Sequence, residues 1–66
     1  MDKLSDAAIR FLGGDKSAAD FFGVTLGAVS QWRYNGLPPA RELELIKRKP
    51  DVYFAAQSDA NLISTK

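Results

Sequence analysis

The segment Asp15–Tyr34 (DKSAADFFGVTLGAVSQWRY) constrains the fold of this chain more than any other, because one glycine divides it into two short runs of helical periodicity. Ala19 is small where two helices must cross, Gly23 can take the positive φ of a tight turn, and Val24, Val29 and Trp32 are spaced to bury behind that turn. Two helices joined in this way make a helix-turn-helix, a motif whose second helix can lie in the major groove of DNA. The face of that helix left to solvent is polar and carries no acid.

On either side of the motif the pattern stays helical. Leu4, Ala7 or Ala8, Ile9 or Phe11, and Leu12 recur at helical spacing and predict a first helix from about Leu4 to Leu12, stopped by Gly13-Gly14. Asp15 is the expected N-cap of a second helix, roughly Lys16–Phe22, with Ala18, Ala19 and Phe22 inward. Thr25 is the expected cap of a third, roughly Leu26–Tyr34, which stops at Asn35-Gly36. Pro39 suits the first turn of a fourth helix, given an apolar side by Leu43 and Ile46 with Leu45 flanking, and ended by Lys49-Pro50. Val52, Tyr53 and Phe54 begin a short fifth helix, and the last residues are expected to fray.

A rival pattern runs through the same half. Leu43 and Leu45 alternate with Glu42 and Glu44, and Val52 and Phe54 alternate after a Lys49-Pro50-Asp51 turn, as in a β-hairpin. The helix preference of Glu, Leu and Lys and the Pro38-Pro39 start favour helix. The expected fold class is therefore all-α, a small four- to five-helix bundle with a helix-turn-helix; α+β with a C-terminal hairpin is the alternative. Residues 1–66 are read as one domain, with a dimerisation segment from about residue 40 that offers Leu43, Ile46, Val52, Tyr53 and Phe54.

A chain of 66 residues with no cysteine and no histidine has no disulfides, no thiolate metal site and none of the usual zinc ligands. It also lacks the commonest general base, a Gly-rich phosphate loop and a convincing pair of carboxylates, so no enzyme, cofactor, metal or small-molecule substrate is expected. Stability must come from packed apolar residues, 45% of the chain, helped by a partner subunit. No apolar run reaches the roughly 18 residues of a membrane span, and MDKLSDAAIR lacks a signal-peptide profile; a soluble cytoplasmic protein with no membrane partner is expected.

The net charge of +1 does not by itself suggest nucleic acid, but its distribution does. Every acid falls within Asp2–Asp20 or Glu42–Asp59, and the window between holds Arg33 and, at its edge, Arg41. Arg10, Lys16 and the Lys47–Lys49 triplet add positive potential around it. On the third helix, with about 100° per residue, Ser30, Gln31 and Tyr34 lie within about 60° of Gly27, and Ala28, Val29 and Trp32 fall on the opposite side.

Within that stripe, the Gln31 carboxamide can donate and accept together at the adenine edge, which sets it apart from a merely solvated glutamine. Ser30 can bond a base or a phosphate, or simply be small. Thr25 is a helix cap whose hydroxyl or N–H can also meet a phosphate. Leu26 either touches a thymine methyl or packs on the turn, and Gly27 permits close approach. Lys16, Arg33, Tyr34 and Asn35 are the candidate phosphate contacts, solvated side chains being the alternative for Arg33. Trp32 is read as core, and Lys47-Arg48-Lys49 as a helix end that complements the dipole.

At these residues the chain resembles phage Cro-type repressors, within the Cro/phage-repressor class of helix-turn-helix proteins and its YdaS-like antitoxin relatives. The resemblance covers about Leu4–Ile46 and is closest over GGDKSAADFFGVTLGAVSQWRYNGLPP, where an FGVT..AVSQW core is followed by G-x-PP. It implies a homodimer that binds a pseudo-palindromic operator in double-stranded DNA and represses a promoter. It also implies base contacts by Thr25, Leu26, Gly27, Ser30 and Gln31, with Lys16 on phosphate. The class divides in its C-terminal half between helices and a β-hairpin, so kinship leaves that choice open. The alternatives are an excisionase-like or antitoxin-like DNA-binding protein, and a small helical protein-interaction module.

Overall fold

Glycine and proline set the boundaries of five helices: α1 (Lys3–Phe11), α2 (Asp15–Phe22), α3 (Leu26–Asn35), α4 (Pro39–Arg48) and α5 (Pro50–Thr65). The computed structural model describes residues 2–65, with side chains described from Asp2 to Ala60, and contains no strand among the described residues. Fraying of the last residues concerns 61–66, which lie outside the described side chains.

Each junction has a local cause. Asp2 caps α1 by accepting from Ser5 N at 2.8 Å. After Leu12, the Gly13 and Gly14 amides donate back to the Arg10 and Ile9 carbonyls at 3.0 Å, closing the helix end. Gly23 takes a left-handed conformation (φ 70°, ψ 39°), and both its amide and that of Val24 donate to Ala19 O. Thr25 caps α3, its Oγ1 accepting from Ala28 N at 3.2 Å. Gly36 closes that helix at φ 99°, so near the N-cap of α1 that a Cβ would lie 3.1 Å from Asp2 Oδ2. Pro39 and Pro50 stand in the first turns of α4 and α5, where a missing N–H leaves no bond unmade.

Asp15 departs from its expected place. Gly14 is the N-cap of α2 and makes no side-chain cap bond, while Asp15 is the first helical residue and turns its carboxylate toward Arg33 on α3. An ion pair to another helix has displaced the local cap bond.

The second half is helical because its apolar residues sort by helical period. Leu45 is fully buried but Leu43 is half exposed, so their alternation does not mark one face of a strand. Glu44 joins Arg41 (3.0 Å) and Arg48 (2.8 Å) one turn away on either side, which stabilises α4. In α5, Val52, Tyr53 and Ala56 share the inward face and Phe54 points out; the helix runs to sixteen residues rather than the short element expected.

Two adjoining clusters form the core. Ala7, Ala8, Phe22, Leu45 and Ala56 make one, and Ile9, Ala18, Ala19 and Val29 the other; Leu12, Val24 and Trp32 pack against both. Alanine at five of these nine positions lets the helices approach closely. α5 lies along α1, and α3 rests on α1 and α2. Ser5 is the buried polar residue of this interior, and its hydroxyl accepts from Leu37 N at 2.8 Å.

Candidate nucleic-acid interface

α3 owes its orientation to the residues behind it. Val29 has no exposed surface, and Trp32 sits half-buried with its ring edge-on to Phe22, centroids 5.3 Å apart. Phe22 in turn meets Phe21 edge-on at 4.8 Å, so an aromatic row runs from the end of α2 to the middle of α3. With this side fixed, the other must face solvent. Thr25, Leu26, Gly27, Ser30, Gln31, Tyr34 and Asn35 are all exposed, as the helical spacing requires.

Thr25 has two functions available at once. Its oxygen accepts the capping bond, which leaves the hydroxyl proton free to donate outward. Gly27 is not explained by the fold. Its φ is ordinary, and an added Cβ would meet nothing closer than Thr25 Oγ1 at 3.8 Å, an ordinary contact. Alanine would fit there and favour the helix by up to about 1 kcal/mol.

The cations around α3 divide sharply. All four arginines are held by carboxylates of the chain itself: Arg10 by Asp6 and Asp59, Arg33 by Asp6 and Asp15, Arg41 and Arg48 by Glu44. Arg33 was expected on phosphate, but its side chain is 27% exposed and directed to two other helices. Lys16, in the first turn of α2, is exposed and makes no ion pair among the described residues.

The basic end of α4 sits against the end of α2. Arg48 stacks over the Phe21 ring, 4.3 Å from its centroid, and donates to Phe21 O at 3.3 Å. That contact anchors Arg48, while Lys47 and Lys49 on either side of it are exposed. Sequence favours a dipole role for this triplet, and only the long-range Arg48–Phe21 contact reveals its second neighbour. Hydrogen bonds from Arg48 and then Arg41 hold the Glu44 carboxyl below the usual carboxylate range.

The five residues expected to make a dimer contact do not form one class. Leu43 and Phe54 are more than half exposed, and Ile46 is partly buried. Val52 and Tyr53 pack against the chain's own core, and the Tyr53 hydroxyl donates to Glu42 Oε2 at 2.9 Å, which pushes the phenol up from its ordinary value. Among the described residues there is no cluster suited to a metal ion, no pocket, and no helix long and apolar enough to cross a membrane.

Neither a scan against protein-family models nor comparison with curated proteins and solved structures returns a match.

Proposed function

We propose that this chain is a sequence-specific double-stranded DNA-binding protein, a transcriptional repressor of the phage Cro type that binds a pseudo-palindromic operator as a homodimer, with α3 in the major groove. The observation that carries the reading is the outward stripe of α3, solvent-exposed and acid-free along its length and backed by Val29 and Trp32. A groove accepts such a helix end-on or along its face, and the exposed side chains offer what base edges and phosphates need.

Gln31 reads adenine through paired donor and acceptor, Ser30 meets a neighbouring base or phosphate, and Leu26 meets a thymine methyl. Gly27 lets the duplex approach the helix backbone, which gives a reason for a glycine the fold does not need. The Thr25 hydroxyl, Lys16, Tyr34 and Asn35 hold phosphates, and Lys47 and Lys49 add positive potential at one end. Few hydrogen-bonding groups open the helix, so DNA shape supplies part of the specificity. Repression needs no chemistry, only occupancy of a site that polymerase requires. A second copy joins through Leu43, Ile46 and Phe54 and brings two helices about one DNA turn apart.

Binding-site selection from random duplexes with the purified protein tests this. A two-fold symmetric site is expected, and Gln31→Ala relaxes preference at one position per half-site, a discrimination of about 1–3 kcal/mol. Selected sites that map to an attachment region rather than a promoter favour the excisionase-like role. No enrichment, with binding indifferent to salt, contradicts DNA recognition altogether.

A further inference from the structure

Arg33 leaves α3 on its flank, about 120° around the cylinder from Gly27 and beside the fully buried Val29. From there its guanidinium spans two helices: Nε lies 3.2 Å from Asp6 Oδ1 on α1, and Nη2 lies 2.7 Å from Asp15 Oδ1 at the start of α2. Arg33 Nε and Asp15 Oδ1 are buried atoms that meet their partners as charges rather than as aligned hydrogen bonds. The Arg33 carbonyl also accepts from Asp2 N at 2.8 Å. Asp6 is shared, since its other oxygen accepts from Arg10 Nε at 3.2 Å, and Arg10 Nη2 donates to Asp59 on α5 at 2.9 Å. The alternating series Asp15, Arg33, Asp6, Arg10, Asp59 thus ties together α2, α3, α1 and α5.

We infer that Arg33 is a positioning residue: it sets the rotation of α3 against α1 and α2, and so the angle at which Gly27, Ser30 and Gln31 meet a duplex, without touching the duplex itself. The inference rests on the DNA-binding reading of α3. Burial of Val29 and Trp32 settles which side of α3 faces inward, while apolar contact, being non-directional, leaves the finer angle about the axis to other contacts. A guanidinium that meets carboxylates of two other helices through two different nitrogens is tied at two separate points, and so resists rotation of α3 in a way one contact cannot. It also neutralises Asp15, the residue next to Lys16, whose bare charge would repel the phosphate that Lys16 meets.

The test measures affinity for a selected-site duplex across a salt series, for the wild type, Arg33→Lys, Arg33→Met, Asp15→Asn and the double variant Arg33→Met/Asp15→Asn. Amide spectra of the free proteins accompany it. Arg33→Met and Arg33→Lys are both expected to weaken binding on the order of ten-fold, because a lysine cannot bridge the two carboxylates, while the log–log salt slope stays that of the wild type. Asp15→Asn also weakens binding although it removes a negative charge, and the double variant is no weaker than Arg33→Met alone.

A slope shallower by about 0.9 in Arg33→Met, with Arg33→Lys close to wild type, makes Arg33 a phosphate contact and overturns the inference. If Arg33→Met does not fold, Arg33→Lys and Asp15→Asn decide: Asp15→Asn binding as tightly as wild type overturns it. Failure of the wild type to bind any duplex overturns the DNA reading instead. The free-protein spectra then still judge positioning, because unmoved Thr25–Tyr34 amides in Arg33→Lys contradict it.

Discussion

Gly27 and Asp15 illustrate how single residues answer to different demands. Gly27 stands in an exposed first turn where alanine would fit, so its cost to the helix is unreturned within the chain. Gly27→Ala is therefore expected to stabilise the free protein by about 0.5–1 kcal/mol, raising the melting temperature by a few degrees, while weakening duplex binding. Thermal denaturation and a binding titration on one sample check both halves; tighter or unchanged binding removes the close-approach argument. Asp15 is an ordinary N-cap by local rules, yet eighteen positions along the chain Arg33 offers it a stronger partner. Nothing in the residues around Asp15 signals that choice. The same blindness applies to Tyr53, an apolar-looking candidate for a partner surface whose hydroxyl is directed to Glu42.

At the scale of elements, the ends of α1 to α4 lie within a residue or two of where the sequence puts them, because Gly23, Gly36 and Pro39 act through their own backbone chemistry. The inward and outward faces of α3 are equally legible, since one helical period orders Val29 and Trp32 against Gly27, Ser30 and Gln31. α4 and α5 are less so: Leu43 and Leu45 satisfy a strand period as well as a helical one, and only burial of Leu45 alone separates them. The Arg41–Glu44–Arg48 pairing that favours α4 has a pH signature. Glu44 is held below its ordinary value, so its contribution is present above the unfolded-state value of about 4.3 and lost as pH falls through its lower folded value. The melting temperatures of wild type and Glu44→Gln should accordingly differ at pH 7 and converge below about pH 4. A gap that stays constant across that range contradicts the pairing. Tyr53 works in the opposite direction, its contribution present below about pH 10 and lost as pH rises through a higher folded value.

For the molecule as a whole, the interior is small and alanine-rich, with Ile9, Phe22, Val29 and Leu45 as its larger fully or nearly fully buried side chains. Leu45 joins α4 to the cluster that also contains Ala7, Phe22 and Ala56. Leu45→Ala is expected to cost about 2–5 kcal/mol, comparable to the whole stability of a domain this size, and so to leave the chain largely unfolded at 25 °C by circular dichroism. Retention of a sharp, wild-type-like unfolding transition would show that the core does not depend on α4. Such a scaffold holds α3 by three means at once, an aromatic row, an ion-pair series and a backbone bond from Asp2, and leaves one polar face unused by the fold. Amide chemical-shift mapping during titration with the selected duplex tests that face most directly. Shifts concentrated at Lys16 and Thr25–Asn35, with the Leu43 and Phe54 surface undisturbed beyond dimer effects, are the predicted result. Shifts confined to α4 and α5, or none on α3, contradict it.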